Sequence, residues 1–555
     1  MTPRPNKLYR SHQVLTAASR QFIRAAGCLS RALVLVALTV GLSACASNAL
    51  QRAPQAPDKP WVAPSATVPD QTPIRHNHAP STSASTAAAS TEFSVPRNPS
   101  LAQLPDGPKI DPDRVYTLPE LIDLAQQNNP ETRLAWNRAR QAALAVGMAE
   151  ATFLPMLSAN VIGGWRKTRT PIEILPWDPK LRTETHGVVP MLALSWLVFD
   201  FGGRAALVEE AEHASFAANV LFNAAHQQVI LAVTTAYYNY GAAKRRVAIA
   251  EETLKNAKTV ARAVSERQKG GIATTVEVAQ AKQQVSQAQL RLVNAQGSAN
   301  THYQALLGAV GLSPMQKIAV QALEDKGLPT HYEGITEETI RMALSQRPDI
   351  LAAWSARQAS QAHIRAAESQ FMPKVFLSAI AARNRGSFSV DGLPALDVQT
   401  GSSNVLLGVS IPIFDGGLRS ANLKQAQIAA DKAQEVFHKT QKAAVREISA
   451  AVDGLQSALA AYHAARELES AAQTTYDAAL EAFQHGLDTV TVVTMAVSGL
   501  KDAQQARSDA HALALAAAAN LAFLMGDMTR AQDQWVDDST PRTRGVFPPL
   551  SGKKP

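Results

Sequence analysis

The sequence predicts a mainly α-helical chain that also supplies membrane β-strands: a long antiparallel coiled-coil array with four strands per chain. Three observations lead there. The body is an internal duplication, each copy holds two strand-like segments, and each copy closes with long stretches whose apolar residues step by three and four.

Two copies of one unit follow each other. NNPETRLAWNRARQAALAVGMAEATFLP (128–155) aligns with QRPDILAAWSARQASQAHIRAAESQFMP (346–373), pairing Pro130 with Pro348, Trp136 with Trp354 and Pro155 with Pro373, all 218 positions apart. Phe199-Asp200-Phe201-Gly202-Gly203-Arg204 answers Phe414-Asp415-Gly416-Gly417-Leu418-Arg419. Gly271-Ile272-Ala273-Thr274 answers Gly486-Leu487-Asp488-Thr489, and Leu306-Leu307-Gly308 answers Leu524-Met525-Gly526.

Each copy opens with a helix. Thr117-Leu118-Pro119-Glu120 supplies an N-cap and a first-turn proline, and Ile335-Thr336-Glu337-Glu338 opens the counterpart. Both helices are expected to run to a proline, Pro155 or Pro373, that cannot continue them. Beyond the prolines, Leu157, Ala159 and Val161, and likewise Val375, Leu377 and Ala379, alternate as two-faced strands do. The returning strands are GVVPMLALSWLVF (187–199) and NVLLGVSIPIF (404–414), with polar loops expected at 166–186 and 384–403. Their length is about the ten residues that a tilted barrel strand needs to cross a bilayer. Four strands cannot close a barrel around a lumen, and lipid does not tolerate open edges, so membrane strands here require several chains.

The long helices come next. No proline interrupts Arg204 to Lys269, room for a helix of roughly 100 Å at about 1.5 Å per residue. Val247, Ala250, Leu254, Ala257, Ala261 and Val264 form a heptad seam, continued past the glycine break by Val278, Ala281, Val285, Ala288, Leu292, Ala295 and Ala299. In the second copy Ala461, Ala465, Leu468, Ala472, Thr475, Ala479 and Ala482 are read as the same seam. Alanine at these positions lets helix axes approach closely.

The formal charge of +8 suggests an anionic partner, but it is concentrated at one end. Residues 1–44 hold Arg4, Lys7, Arg10, Arg20, Arg24 and Arg31 and no acid, and without these six the 54 bases become 48 against 46 acids. The apolar run ALVLVALTVGL (32–42) is too short to span a bilayer and has the length of a signal-peptide core. Leu42-Ser43-Ala44-Cys45 resembles the bacterial lipobox, in which the cysteine thiol takes a diacylglycerol and becomes the new N-terminus. Cys28 lies upstream, so the mature chain has no cysteine pair for a disulfide or a thiolate metal site. Ala46 to about Pro112 is rich in Pro, Ala, Ser and Thr and reads as a flexible tether, with His76 and His78 solvated in it. The division is then 1–44 signal peptide, 45–113 lipidated N-terminus and linker, 114–330 first repeat, 331–530 second repeat and 531–555 tail.

The body contains no Walker loop, GxGxxG, HExxH, GxSxG or CxxC, and its histidines are scattered singly. No catalytic, cofactor or metal site is expected. A lipid-anchored coiled-coil scaffold without a pore would explain the heptads and the lipobox, but it does not call for paired strands in each repeat.

The duplication, the FDxGG turns, the alanine-rich hairpins and their glycine tips resemble the TolC-like outer-membrane efflux proteins, in particular the lipoprotein branch serving resistance-nodulation-division pumps. The resemblance covers about residues 114–530. It implies a homotrimer in the outer membrane whose twelve strands form one barrel and whose helices form a long periplasmic α-barrel. It implies a passive duct exporting small molecules, with a periplasmic adaptor protein and an inner-membrane transporter as partners. The outer-membrane duct of a type I secretion system is the alternative. With no aspartate after Cys45, transfer to the outer membrane is implied.

The same resemblance assigns roles by position. Gly202, Gly203, Gly416 and Gly417 match the strand-to-helix turns, where a sharp redirection calls for positive φ. Gly271, Ile272 and Thr274, with Gly486, Leu487 and Thr489, match the tips that meet the adaptor. Six and nine positions after the tip glycine, family members commonly carry acids at a periplasmic gate; here stand Glu277 and Gln280, then Val492 and Met495 in the second copy. An apolar ring of Val492 and Met495 would close a duct by dewetting.

Overall fold

A computed structural model describes residues 110–171, 180–324, 327–332, 334–390, 394–485 and 487–526, together with Ala56, Asp58, Ser100, Ala102, Gly107, Pro108 and Met528. The signal peptide, Cys45, His76, His78, Gly486 and the tail 531–555 lie outside the described residues. Seven elements appear in one order: β1 (Val115–Tyr116), α1 (Leu118–Asn128), α2 (Pro130–Ala151), β2 (Met156–Pro171), β3 (Lys180–Phe199), α3 (Gly203–Lys269) and α4 (Thr275–Val310). The same order then recurs: β4 (Ala319–Val320), α5 (Glu337–Gln346), α6 (Pro348–Ser369), β5 (Lys374–Val390), β6 (Leu396–Ser410), α7 (Leu418–Gln484) and α8 (Val490–Leu524). Both α3 and α7 are 67 residues long, so the duplication reaches element length.

Both halves contribute equivalent parts to each of two compact units. One unit takes 136–220 and 351–439 and contains an antiparallel sheet of order β2-β3-β5-β6. Its register gives it two unlike faces. Leu157, Val161, Leu192, Leu194, Leu377, Val405, Leu407 and Val409 fall on one face, while the other mixes Ser158, Asn160, Ser195, Ser378, Asn404 and Ser410 with Met156, Ile162, Ile380 and Leu406. On the apolar face Val161, Leu192, Val405, Leu407 and Val409 are all exposed. Such a continuous apolar band is what a lipid-facing barrel surface presents.

The other unit takes 56–135, 221–350 and 440–555. In it Leu118, Leu121, Ile122 and Ala125 of α1 pack with Val229, Ile230 and Val233 of α3 and Leu306, Leu307 and Val310 of α4. Farther along the hairpin the seam forms where the heptads place it: Ala250, Leu254 and Ala257 meet Ala288 and Leu292, with Val247, Val285 and Ala295 at the border. Val264, Val278 and Ala281 at the end of this hairpin join Phe483, Val490 and Val493 of the second one.

Four expectations are corrected. The helix expected from Leu118 to Pro155 is two helices, because the residue before a proline is driven out of the α region: Asn129 has ψ 128° and Arg347 has ψ 124° before Pro130 and Pro348. The helices that follow stop at Ala151 and Ser369, a turn short of Pro155 and Pro373. The strands of the first hairpin are 16 and 20 residues long and those of the second 17 and 15, so most of the expected loops 166–186 and 384–403 is strand. Backbone pairing continues into polar sequence, and hydropathy marks only the apolar part of each strand. At its other end β6 stops at Ser410, leaving Ile413 and Phe414 exposed.

The second-copy seam holds in part, since Ala465 and Ala479 are buried and Ala472 and Ala482 half-buried as expected. Tyr462, Ala465, Ala479 and Phe483 are buried, whereas Ala461, Leu468 and Thr475 are exposed. Alanine makes more than one stripe of α7 apolar enough to pass, and the large side chains Tyr462 and Phe483 decide which stripe packs.

Candidate functional site

The strand-to-helix turns are built on an Asp–Arg pair that recurs in both copies. Asp200 Oδ2 accepts from the backbone N–H of Arg204 at 2.8 Å and from its Nε at 3.2 Å. Arg204 Nη1 donates to the carbonyls of Leu197 at 2.6 Å and Thr152 at 3.1 Å, and Nη2 donates to Val198 at 3.2 Å. Its guanidinium carbon lies 4.6 Å from the Phe153 ring centroid. One buried side chain thus ties the end of α2, the end of β3 and the start of α3 together.

The second turn repeats this more openly. Asp415 Oδ2 accepts from Arg419 N at 3.0 Å and Nε at 2.7 Å, Oδ1 accepts from Gly417 N at 3.1 Å, and Arg419 Nη1 donates to Pro412 O at 2.8 Å. The hydrogen bonds from Arg419 hold the Asp415 carboxyl below the usual carboxylate range. In the sequence the glycines of these turns stand out more than either pair. The signal was present, since aspartate is followed four residues later by arginine at both turns.

The glycines divide by role. Gly202, Gly416 and Gly417 have φ of 86°, 68° and 92°, the left-handed region expected of them. Gly203 does not; the other positive-φ residue of the first turn is Phe201 at 54°, in the place of Gly416. A Cβ on Gly203 would stand 2.3 Å from Ser369 Oγ, so close approach of α6 is what calls for glycine there.

At the first tip, Gly271 has φ 75° and Ile272 N–H returns to Arg267 O at 2.8 Å, closing α3. Thr274 then caps α4. Its Oγ1 accepts from Glu277 N at 3.2 Å, while Glu277 Oε2 accepts from Thr274 N at 2.6 Å and from its hydroxyl at 3.0 Å. The Thr274 backbone bond, then the hydroxyl bond, lower the Glu277 pKa. The second tip lacks this box: Thr489 makes no side-chain cap bond, and Val492 occupies the place of Glu277.

Both tips are exposed at Ile272 and Leu487 and meet around a cleft of about 290 Å³ lined by Arg267, Glu277, Phe483 and Asp488, among others. Arg267 Nη1 donates to Phe483 O at 3.4 Å, and its guanidinium lies 5.1 Å from that ring's centroid. Of the expected gate residues, Gln280, Val492 and Met495 are exposed, and Val490, Val493 and Ala496 fill the seam beside them. Among the described residues no group of three or more His, Cys, Asp or Glu could hold a metal ion.

A sheet with one apolar face, joined through Asp–Arg turns to duplicated long helical hairpins, defines an outer-membrane duct protein. The chain belongs to the outer membrane efflux protein family, whose model matches residues 121–312 and 339–527. It is 27% identical over 372 residues to the cation efflux system protein CusC of Escherichia coli O157:H7, covering 66% of this chain and 76% of that one. It is 25% identical to the outer membrane protein OprJ of Pseudomonas aeruginosa, covering 67% and 76%. The crystal structure of the outer membrane protein VceC from Vibrio cholerae superposes with a TM-score of 0.60 at 22% identity, covering 74% of this chain and 96% of that one, a likeness of fold.

Proposed function

We propose that this chain is the outer-membrane channel of a tripartite efflux system, a passive homotrimeric duct that carries small toxic molecules out of the cell. The observation that carries the reading is the four-stranded sheet, exposed and apolar on one face and with both edges unpaired among the described residues, in a chain of the outer membrane efflux protein family. Three copies would close twelve strands into one barrel, and the helices would extend the conduit into the periplasm. The repeats 114–330 and 331–530 each supply one strand pair and one helical hairpin to it.

In this reading Cys45 carries the lipid anchor and 45–113 is its tether. The tips around Gly271, Ile272 and Thr274, and around Gly486, Leu487 and Thr489, receive a periplasmic adaptor. An inner-membrane transporter of the resistance-nodulation-division type supplies the energy and the choice of substrate. The duct itself catalyses nothing. Glu277, Gln280, Val492 and Met495 stand at its periplasmic gate. Deleting the chain from its native cell should raise retention of a fluorescent pump substrate, and tagged protein should co-purify with an adaptor and a pump. Unchanged retention and a solitary protein would contradict the proposal.

A further inference from the structure

The two outer strands of the sheet, β2 and β6, each leave a row of backbone groups without a partner strand among the described residues. In hydrocarbon such an edge must be paired. Resting on the trimeric reading above, in which β6 of one copy meets β2 of the next, we propose the register of that joint: it sets Val409 opposite Val161 of the partner subunit.

The internal duplication supplies that register. Met156 answers Lys374, 218 positions on, and Ser195 answers Ser410, 215 positions on; Met156↔Ser195 and Lys374↔Ser410 are both observed pairs. At the polar end Trp165↔His186 becomes Arg383↔Gly401 under the same shifts, again an observed pair. The two hairpins therefore share one register throughout. The joint between hairpins within the chain is β3 to β5, with Leu194↔Ala379, Leu192↔Ala381 and Met191↔Ala382. Carried forward by the same shifts, that joint sets Val409 opposite Val161 of the partner subunit, Leu407 opposite Gly163 of the partner subunit and Leu406 opposite Gly164 of the partner subunit.

Side-chain chemistry agrees with this register. The apolar face of β6, Val405, Leu407 and Val409, continues onto the face holding Trp165 and Val161 of the partner subunit. Asn404, Ser403 and Gly401 lie opposite the partner subunit's Arg166, Lys167 and Arg169, so these three cations of β2 face uncharged positions. A two-residue slip in one direction would set Val405 against Lys167 of the partner subunit and Leu406 against Arg166 of the partner subunit.

Disulfide trapping in the full chain tests the register. Val409→Cys combined with Val161→Cys should convert, on oxidation, from one-chain to three-chain mass on non-reducing denaturing gels, as should the second pair Val405→Cys with Trp165→Cys. Val409→Cys with Ala159→Cys or Gly163→Cys should stay at one-chain mass, because diagonal neighbours about 7–8 Å apart are beyond ordinary disulfide reach. Protein that is trimeric by mass in detergent but cross-links only through a flanking pair, or through none, overturns the register and leaves the duct reading standing. Parent protein that is monomeric by mass in detergent would overturn both.

Discussion

Asp200 and Arg204 lock the first strand-to-helix turn from inside. The carboxylate takes the Arg204 backbone and Nε protons, and the other guanidinium nitrogens hold the carbonyls that end α2 and β3. Replacing Arg204 with Ala strands a buried carboxylate and should cost about 3–5 kcal/mol, typical of one partner lost from a buried pair. Arg419→Ala should cost clearly less, because the Asp415 carboxylate is more exposed. Thermal unfolding of the two variants in detergent measures the difference, and equal losses would refute the ranking.

The first tip should loosen in acid. Glu277 has a lower pKa in the folded hairpin than in the unfolded chain, so its cap stabilises the tip above the ordinary carboxylate range and is lost as pH falls through the lowered value. Hydrogen exchange in the first turn of α4, corrected for intrinsic rates, should show protection lost in acid and lost in Thr274→Ala at neutral pH. The first turn of α8, with Val492 in place of Glu277, should show no equivalent acid loss. Equal acid sensitivity at both tips would contradict this.

The gate proposal separates the two copies. Replacing Val492 and Met495 together by Ala or Ser should raise the resting conductance, whereas Glu277→Gln keeps a cap acceptor while removing a charge and should mainly lower cation preference. If the double variant conducts like the parent but melts earlier, these side chains pack and the gate lies elsewhere.

Topology can be probed on whole cells. The segment just before β6 should face the exterior, since the other ends of the strands lead into the helices. A membrane-impermeant thiol reagent should label Ala395→Cys and spare Ile272→Cys. The reverse pattern would invert the chain.

Much of this was legible because it repeats. The helix starts at Thr117 and Thr336, the breadth of α3 and its seam, and the tip at Gly271 all carry local signals that the structure reproduces. Less legible was whatever depends on a partner far along the chain. The polar ends of β2, β3, β5 and β6 are strand because their neighbours pair with them, and Ala461, Leu468 and Thr475 lost the seam to a stripe set by Tyr462 and Phe483. Position alone makes Glu277 a gate acid, while its carboxylate is also engaged by Thr274. The Asp–Arg turns were missed because glycine drew attention to backbone conformation, although Asp200 and Asp415 with Arg204 and Arg419 are the side chains that hold it.

Conductance of the purified full-length chain across a planar lipid bilayer tests the central claim most directly. The account predicts discrete steps of one unit size, from protein whose mass in detergent is that of three chains. A folded protein that binds the bilayer and never conducts, even with Val492 and Met495 replaced by Ala, would contradict it.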